Sequence, residues 1–360
     1  MDRQLKYMLC RFMGRILSKR EEIKTASKPK LNSFKSILTL RPDRLGDVVL
    51  SIPIYESIKR SLPQAQVTVL VQAGPAKILE NNPFVDHIIL FNPQMPWKAL
   101  RELKATNFDL AIVLNQIFSA TATIMALFSG APWRAGYANK ENENIFNIRI
   151  PIPKVVKQEV EHNLDVLRYM NFPIIAKSPV IFPDAAMEKH IDNILKKIRS
   201  NPNRPLILIK PGSRLEKWGW PLNKFKTLCA KIREKELGET LLIKGPGEES
   251  LISSFLAGMD PPPKVLPRLD IKELSYVIKK ANLLICNHTG IMHVASAVKT
   301  SILAIFKHGD VKRWGPYDVP HIILEEREND ELTPDTVLKS VCTLLNTQTL
   351  KKSSNLSHKT

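Results

Sequence analysis

The stretch of sequence that decides the fold is Ile285-Cys-Asn-His-Thr-Gly-Ile-Met-His-Val-Ala-Ser-Ala-Val298. An apolar run from Leu283 to Cys286 stops at Asn287, and small and polar residues follow. Apolar residues then return at helical spacing, at Met292, Val294, Ala295 and Val298. The pattern predicts a strand that leads through a tight polar turn into a helix. Free backbone N–H groups and the positive end of the helix dipole meet in such a turn, which suits it to bind phosphate.

Strand and helix patterns alternate on both sides of this stretch. Strands are predicted at 36–40, 66–71, 87–91, 109–114 and 134–137, and then at 205–210, 240–244, 265–266, 283–286 and 300–306. Alternation of this kind is typical of parallel sheets with helices on both faces. The expected fold class is therefore α/β, with two doubly wound domains that face a central cleft.

The chain divides into five predicted segments. They are a basic leader at 1–30, a first domain at 31–178, a second domain at 179–332, a terminal helix at 333–348 and a disordered polar tail at 349–360. The boundary between the domains falls in a proline-containing linker at 171–182. The terminal helix is expected to begin at Thr333, with Pro334 in its first turn.

The formal net charge of +18 favours anionic partners, such as nucleic acid, phosphorylated sugars or an acidic lipid surface. Residues 1–30 carry nine of the cations, and their apolar residues fall on one helical face. They indicate either a basic amphipathic helix that lies on an anionic membrane or a helix packed on its own domain. The sequence shows no recognition-helix unit or aromatic-rich sheet signature, so nucleic acid is a weak candidate.

The four cysteines lie far apart without a Cys-x-x-Cys pair, which argues against a zinc site or a disulfide framework. No run of about 20 apolar residues exists. We therefore expect a cytoplasmic protein with reduced thiols.

Three polar turns of the second half each follow a predicted strand. They are Pro211-Gly-Ser-Arg-Leu-Glu-Lys-Trp-Gly-Trp-Pro221, Gly245-Pro-Gly-Glu-Glu249 and Asn287-His-Thr-Gly290. In a parallel sheet all three would lie at the carboxyl end of the strands. Their glycines, hydroxyls and cations suit a diphosphate, and a carboxylate can accept hydrogen bonds from a ribose. The candidate donor-binding residues are Ser213, Arg214, Gly245, Glu248, His288, Thr289, Gly290 and His293, and Lys217 is a candidate catalytic cation.

In the first half, Asp47 follows Gly46 at the start of a predicted helix. It is either a helix-capping residue or a general base. Arg41 and Arg44 beside it either bind phosphate or are solvated. The chain contains no Asp-x-Asp triplet, which argues against a metal–diphosphate clamp. A cationic side chain and helix dipoles would then stabilise the leaving group, and we expect no metal or cofactor.

Three motifs resemble one family. Arg-Pro-Asp-Arg-Leu-Gly-Asp-Val-Val-Leu-Ser-Ile-Pro at 41–53, Gly-Pro-Gly-Glu at 245–248 and Asn-His-Thr-Gly-Ile-Met-His-Val-Ala at 287–295 are similar to motifs of glycosyltransferase family 9. This family contains the ADP-heptose:lipopolysaccharide heptosyltransferases. Weaker agreement extends from residue 36 to about residue 345.

The resemblance implies a GT-B fold of two Rossmann-like domains and metal-independent, inverting transfer. The donor would be a nucleotide-sugar such as ADP-heptose, and the acceptor the lipopolysaccharide core or another lipid-linked saccharide. The resemblance gives each motif residue a role. Asp47 would be the base, Thr289 and Gly290 would bind the diphosphate, Glu248 the ribose and Lys217 the leaving phosphate, while His293 occupies the family's histidine position. An enzyme with such an acceptor is expected to be cytoplasmic and peripheral on the inner face of the membrane.

Two positions depart from the family pattern. His288 stands where the family usually has aspartate, and Lys217 is one residue out of step with the usual Lys-x-Trp-Pro, so that Arg214 is an alternative cation. The substitution at His288 affects the expected donor sugar. It also leaves two other functions open: a catalytically silent nucleotide-sugar-binding protein, and a sugar-nucleotide epimerase on a similar fold.

Overall fold

The computed structural model describes residues 30–142, 144–327 and 331–357, with side chains described up to residue 347. The predicted amphipathic leader, apart from Lys30, lies outside these residues. In the described part of the chain, none of the helices has the length and apolar content needed to cross a bilayer.

The chain forms two compact units that divide between Phe182 and Pro183, close to the expected boundary after residue 178. Both predicted doubly wound domains are confirmed. In the described residues each unit contains one six-stranded sheet, and every strand pairing in the two sheets is parallel.

In the first unit the strand order is β3-β2-β1-β4-β5-β6, the order of a Rossmann sheet. The strands are β1 Ser36–Leu40, β2 Gln66–Gln72, β3 His87–Phe91, β4 Leu110–Val113, β5 Trp133–Tyr137 and β6 Ile148–Ile150. The helices are α1 Leu45–Val49, α2 Ile52–Ser61, α3 Ala73–Ala76, α4 Pro96–Ala105, α5 Ala120–Phe128 and α6 Glu159–Tyr169. The direction of winding reverses between β1 and β4, so this is where the sheet opens a crevice at its carboxyl edge, the edge formed by the carboxyl ends of the strands.

The second unit repeats this arrangement with the order β12-β11-β10-β7-β8-β9. Its strands are β7 Leu206–Lys210, β8 Glu239–Leu242, β9 Lys264–Val265, β10 Leu283–Asn287, β11 Ser301–Phe306 and β12 His321–Glu325. Its helices are α7 Ala185–Ile198, α8 Leu222–Glu234, α9 Glu249–Leu256, α10 Ile271–Lys280, α11 Gly290–Ala297, α12 Val311–Trp314 and α13 Pro334–Ser357. The winding reverses between β7 and β10, and their carboxyl ends carry two of the three polar turns.

Burial explains why the central strands are apolar throughout. All five residues of β7 and of β10 and all six of β11 are buried. Helices cover both faces of a sheet of this class, so its inner strands have no solvent-facing positions. Side chains from α8, α9 and α13 pack against these strands in one core, for example Phe225, Phe255 and Val341.

Four predictions of local structure were wrong. The strand ending at residue 306 is not the last, because β12 follows it, and β6 was missed. Both are edge strands of their sheets: β6 is only three residues long, and the apolar run of β12 is limited to residues 322–324 and is only half-buried. The single helix predicted to begin at Gly46 and Asp47 is two helices, α1 and α2, with Pro53 in the first turn of α2. The disordered tail expected from residue 349 is helical to Ser357, since no glycine or further proline interrupts α13 after Pro334.

Candidate functional site

The turn at 287–290 has the predicted strand–turn–helix geometry. Asn287 ends β10, Thr289 is the N-cap residue of α11 in an extended conformation, and Gly290 is the first helical residue. The side chain of Thr289 does not cap the helix, and its buried Oγ1 has no hydrogen-bond partner. A buried hydroxyl without a partner costs free energy unless a ligand completes it. The turn therefore offers both an unused hydroxyl and the open N-terminus of α11 to an anion.

Asn287 ties the two strands at the winding reversal together. Its Nδ2 donates to the carbonyl oxygen of Pro211 at 2.6 Å, and its Oδ1 accepts from the backbone N–H of Trp220 at 2.9 Å. Both partners belong to the turn that follows β7. This fully buried amide fixes the 211–221 turn beside the start of α11.

Glu248 lies next to this turn, but its carboxylate already has partners. It accepts hydrogen bonds from Nζ of Lys210 at 2.5 and 2.7 Å and from the backbone N–H of Gly245 at 2.7 Å. A side chain at Gly212 would collide with the Glu248 carboxylate and the Lys210 ammonium, which explains the glycine there. Glu248, the residue predicted to bind the ribose, is thus held in place by Lys210, the last residue of β7. The three turns meet at one carboxyl edge, as predicted, because β10, β7 and β8 are adjacent and parallel.

The cations of the 211–221 turn are exposed. Lys217 lies in a short 3₁₀ helix, Glu216–Trp218, and the guanidinium carbon of Arg214 is 5.6 Å from the ring centroid of Trp218. Ser213 donates from its hydroxyl to the carbonyl oxygen of Leu215 at 2.6 Å, so it supports the turn itself.

His288 packs against one aromatic ring and the loop that follows β11. Its imidazole stacks on Phe306 with 4.5 Å between ring centroids, and its Nδ1 lies 3.2 Å from the carbonyl oxygen of His308. A side chain at Gly309 would collide with the imidazole. Burial, together with the charge of His308, lowers the pKa of His288 below its ordinary value, although the His308 carbonyl opposes this shift. The imidazole is therefore neutral near pH 7, which removes the repulsion between a cation and the N-terminus of α11.

His293 sits inside α11, with its ring centroid 6.5 Å from that of Trp314, and is buried. Trp218 stacks on His308 at 4.3 Å. Trp218, Phe306 and His308 also line a groove of about 910 Å³. These three residues were not predicted as site residues, since an aromatic residue after a strand is more often part of the core than of a site.

At the carboxyl edge of the first unit, one buried guanidinium faces three carboxylates. Arg41, only 2% exposed, donates from Nη2 to Asp47 Oδ1 at 2.9 Å and to Glu159 Oε1 at 2.8 Å, and its Nε lies 3.5 Å from Asp43 Oδ2. Burial alone would lower the pKa of Arg41, but the charges of Asp47, Glu159 and Asp43 outweigh it and raise the pKa above its ordinary value. The Asp47 side chain is 21% exposed, so Arg41 holds one part of the carboxylate while another part remains open to solvent.

Asp43 links this cluster to the neighbouring strand. Its Oδ2 accepts from Nδ2 of Asn115 at 2.8 Å, and Asn115 lies just after β4. Burial raises the pKa of Asp43 above its ordinary value, in spite of the opposing charge of Arg41. The hydrogen bond between Asp43 and Asn115 links the segments that follow β1 and β4, where the winding of the first sheet reverses. Asn287 links the segments that follow β7 and β10 in the second sheet.

These positions correct one expectation. Arg41 was expected to bind phosphate or to be solvated, but it is buried and its guanidinium is occupied by carboxylates. Arg44, by contrast, is exposed at the N-cap of α1, and Gly46 is buried inside that helix. Glu159 and Lys210 were not predicted as site residues. The sequence offered only their positions as a sign: Glu159 begins a predicted helix, and Lys210 ends an apolar strand. Among the described residues there is no group of three or more His, Cys, Asp or Glu side chains that could hold a metal ion.

A sequence model described as glycosyltransferase family 9 (heptosyltransferase) matches residues 97–341. The chain belongs to glycosyltransferase family 9. The family resemblance and the expectation of a glycosyltransferase are thereby confirmed; the motifs at 245–248 and 287–295 lie within the matched residues, and the motif at 41–53 lies outside them.

Family 9 relatives support this membership over most of the chain. Lipopolysaccharide heptosyltransferase 3 of Escherichia coli is 22% identical over 292 residues, which is 76% of this chain and 83% of the relative. The solved family 9 glycosyltransferase of Veillonella parvula has a TM-score of 0.79 at 20% identity, covering 89% of this chain and 99% of that one. The structure of E. coli ADP-heptose lipopolysaccharide heptosyltransferase II gives a TM-score of 0.73 at 19% identity, covering 87% and 99%. The match to family 9 structures agrees with the GT-B fold expected from the sequence.

Proposed function

We propose that this chain transfers a heptose or a related sugar from a nucleotide-sugar, ADP-heptose, to the lipopolysaccharide core or another lipid-linked acceptor. Transfer is inverting and independent of a metal ion. The observation that carries the proposal is the unpartnered hydroxyl of Thr289 at the open N-terminus of α11. The names of two relatives, an ADP-heptose and a lipopolysaccharide heptosyltransferase, support this choice of donor and acceptor.

The second unit binds the donor. The Thr289 hydroxyl and the first N–H groups of α11 hold the diphosphate, and Lys217 or Arg214 adds a mobile positive charge as the diphosphate leaves. Glu248 binds the ribose from its fixed position beside Gly245. Because these groups already compensate the phosphate charge, the scheme requires no divalent cation.

The first unit activates the acceptor. An oxygen of Asp47 accepts the proton of the acceptor hydroxyl while that hydroxyl oxygen bonds to the anomeric carbon and the bond from that carbon to the diphosphate breaks. A single displacement of this kind inverts the anomeric configuration. Arg41 fixes the orientation of Asp47, and Glu159 and Asp43 share the positive charge of Arg41, so that Asp47 keeps its capacity to accept a proton.

The neutral His288 is expected to affect which sugar the donor carries. An aspartate in that position would accept hydrogen bonds from sugar hydroxyls at both oxygens, whereas an imidazole held against Phe306 offers at most one ring nitrogen. We therefore expect selectivity for a heptose that differs from the family's usual donor, or for a related sugar. The acceptor places the enzyme on the cytoplasmic face of the membrane, as a peripheral protein.

The test is Asp47→Asn assayed with ADP-heptose and a core acceptor. Turnover should fall by at least about 100-fold, while calorimetric donor affinity stays unchanged. Asp192→Asn, which removes an exposed carboxylate of α7, is the matched control and should keep full turnover. Unchanged turnover of Asp47→Asn would remove Asp47 from the mechanism.

Activity lost in EDTA and restored by magnesium would contradict transfer without a metal. Tighter calorimetric binding of UDP- or GDP-sugars would contradict the ADP donor.

A further inference from the structure

The loop Pro151-Ile-Pro-Lys-Val-Val-Lys157 exposes a group of apolar side chains. It follows β6 at the carboxyl edge of the first unit and contains no helix or strand. Val155 is 69% exposed, Val156 50% and Ile152 48%. Single exposed apolar side chains are ordinary on a soluble protein, whereas three within five residues of one loop suggest that a partner covers them.

The loop is held at its end rather than at its apolar part. The backbone N–H of Lys157 donates to Nε2 of His162 at 3.3 Å, and Nζ of Lys157 donates to Asp165 at 2.7 Å. Pro151 and Pro153 restrict the other half of the loop. The apolar side chains are thus presented on a restrained backbone, which lowers the entropic cost of inserting them into a partner.

A second exposed apolar side chain lies on the same edge. Ile117, 65% exposed, belongs to the loop that follows β4. One strand, β5, separates β4 from β6, so the ends of these two strands are about 10 Å apart. The loop at 41–44 leaves the sheet at this same carboxyl edge, from β1, the strand next to β4, and leads into the helix that carries Asp47.

The charges beside the loop identify the kind of partner. Residues 149–157 contain Arg149, Lys154 and Lys157 and no carboxylate. Lys157 is paired with Asp165, so Arg149 and Lys154 are the cations that this segment offers to a partner. Glu159, the next acidic residue, is buried against Arg41. Aliphatic side chains flanked by cations match the boundary between the acyl chains and the anionic headgroups of a bilayer.

We propose that the carboxyl edge of the first unit is a membrane-binding surface, in which Ile152, Val155 and Val156 insert into an anionic bilayer and the neighbouring cations contact its headgroups. The proposed surface includes none of the residues of the leader at 1–30. It brings the edge that carries Asp47 to the lipid, where a lipid-linked acceptor is held. The inference rests on the proposed function only for the identity of that acceptor.

The experiment uses the full chain and two vesicle types, phosphatidylcholine alone and an equal mixture with phosphatidylglycerol. The double variant Val155→Ser/Val156→Ser should lose at least about 10-fold in partitioning to the anionic vesicles. Ile175→Ser/Val180→Ser, a double change of exposed apolar side chains elsewhere in the first unit, is the control and should partition like the unchanged chain. Equal partitioning of the Val155→Ser/Val156→Ser variant and the unchanged chain would overturn the inference.

A second readout locates the loop directly. The indole introduced by Val155→Trp should be quenched by brominated lipid more than the native tryptophans are. An indole shielded from both brominated lipid and aqueous iodide would show that a protein segment, such as the leader, covers the loop, and would also overturn the inference.

Turnover of a deacylated, water-soluble acceptor should be the same in the Val155→Ser/Val156→Ser variant and the unchanged chain. A loss of this turnover would assign the loop to the reaction instead. Lipid insertion without any transfer activity would leave this inference standing and remove the proposed function.

Discussion

Asp47 and Glu159 accept hydrogen bonds from the same nitrogen of Arg41, at 2.9 and 2.8 Å. The two carboxylates are 112 positions apart in the chain, one on α1 and the other at the start of α6. Since Glu159 is buried and Asp47 is partly exposed, the buried carboxylate balances the arginine while the exposed one remains available to substrate.

We predict that Glu159→Gln lowers kcat by about 10-fold and leaves the KM for donor unchanged. Without the negative charge of Glu159, only Asp43 and Asp47 balance Arg41, so the guanidinium holds Asp47 more strongly and leaves it less available to the acceptor hydroxyl. Glu159→Asp, which restores the negative charge, should recover most of the kcat, which a purely structural role would not cause. Glu161→Gln, two residues along the same helix and paired with Arg168, is the control. A loss of kcat that matches a loss of folded protein in thermal unfolding would assign Glu159 to folding alone.

We predict that Thr289→Val lowers donor affinity by about 10- to 100-fold without destabilising the fold. The hydroxyl makes no hydrogen bond within the protein, so its loss removes only the bond to the diphosphate, and hydrogen bonds to charged groups contribute about 1.5–3 kcal/mol. Thr300→Val is the matched control, because the Thr300 hydroxyl donates to the Ile278 carbonyl oxygen at 2.6 Å. That variant should lose thermal stability and keep donor affinity, as measured by calorimetry. Full donor affinity in Thr289→Val would place the diphosphate elsewhere.

We predict that Glu248→Gln weakens binding of ADP but not of its deoxyribose analogue. The unchanged chain should prefer ADP over the analogue, and the variant should lose this preference if the carboxylate binds the ribose. Glu249→Gln alters the exposed neighbour and should keep the preference. Breaking the bond to Lys210 also lowers stability, which thermal unfolding measures separately. An equal loss of affinity for both nucleotides would show that Glu248 acts only through Lys210 and the turn.

We predict that His288 makes the fold sensitive to acid. Its pKa is lower in the folded protein than the ordinary value of 6.5, so below pH 6.5 the unfolded chain binds a proton that the folded chain does not. The free energy of unfolding therefore decreases as the pH falls from 6.5 towards the folded pKa, with a slope of at most about 1.4 kcal/mol per pH unit. Urea unfolding of His288→Gln between pH 7.5 and 5.5, values of roughly one unit on either side of the ordinary pKa, should show a smaller decrease than the unchanged chain. Identical decreases would show that the imidazole titrates freely.

The turns were predictable because their signals are local. The end of the apolar strand at Asn287 and the start of the helix at Gly290 can both be predicted from residues that are neighbours in the chain. The parallel order of β10, β7 and β8 then brings three such turns to one edge of the sheet. The edge strands β6 and β12 escaped prediction, since β6 has only three residues and β12 has an apolar run of only three.

The sequence by itself determined the α/β class, the two domains and the strand–turn–helix unit at 285–298, because strand and helix periodicity and turn chemistry act between residues that are close in the chain. Only the tertiary structure decided the electrostatics of the site: Arg41 turned inward to three carboxylates, Lys210 paired with Glu248, and His288 held neutral against Phe306. Burial and charge pairing depend on residues brought together from distant positions, and a local pattern does not contain that information.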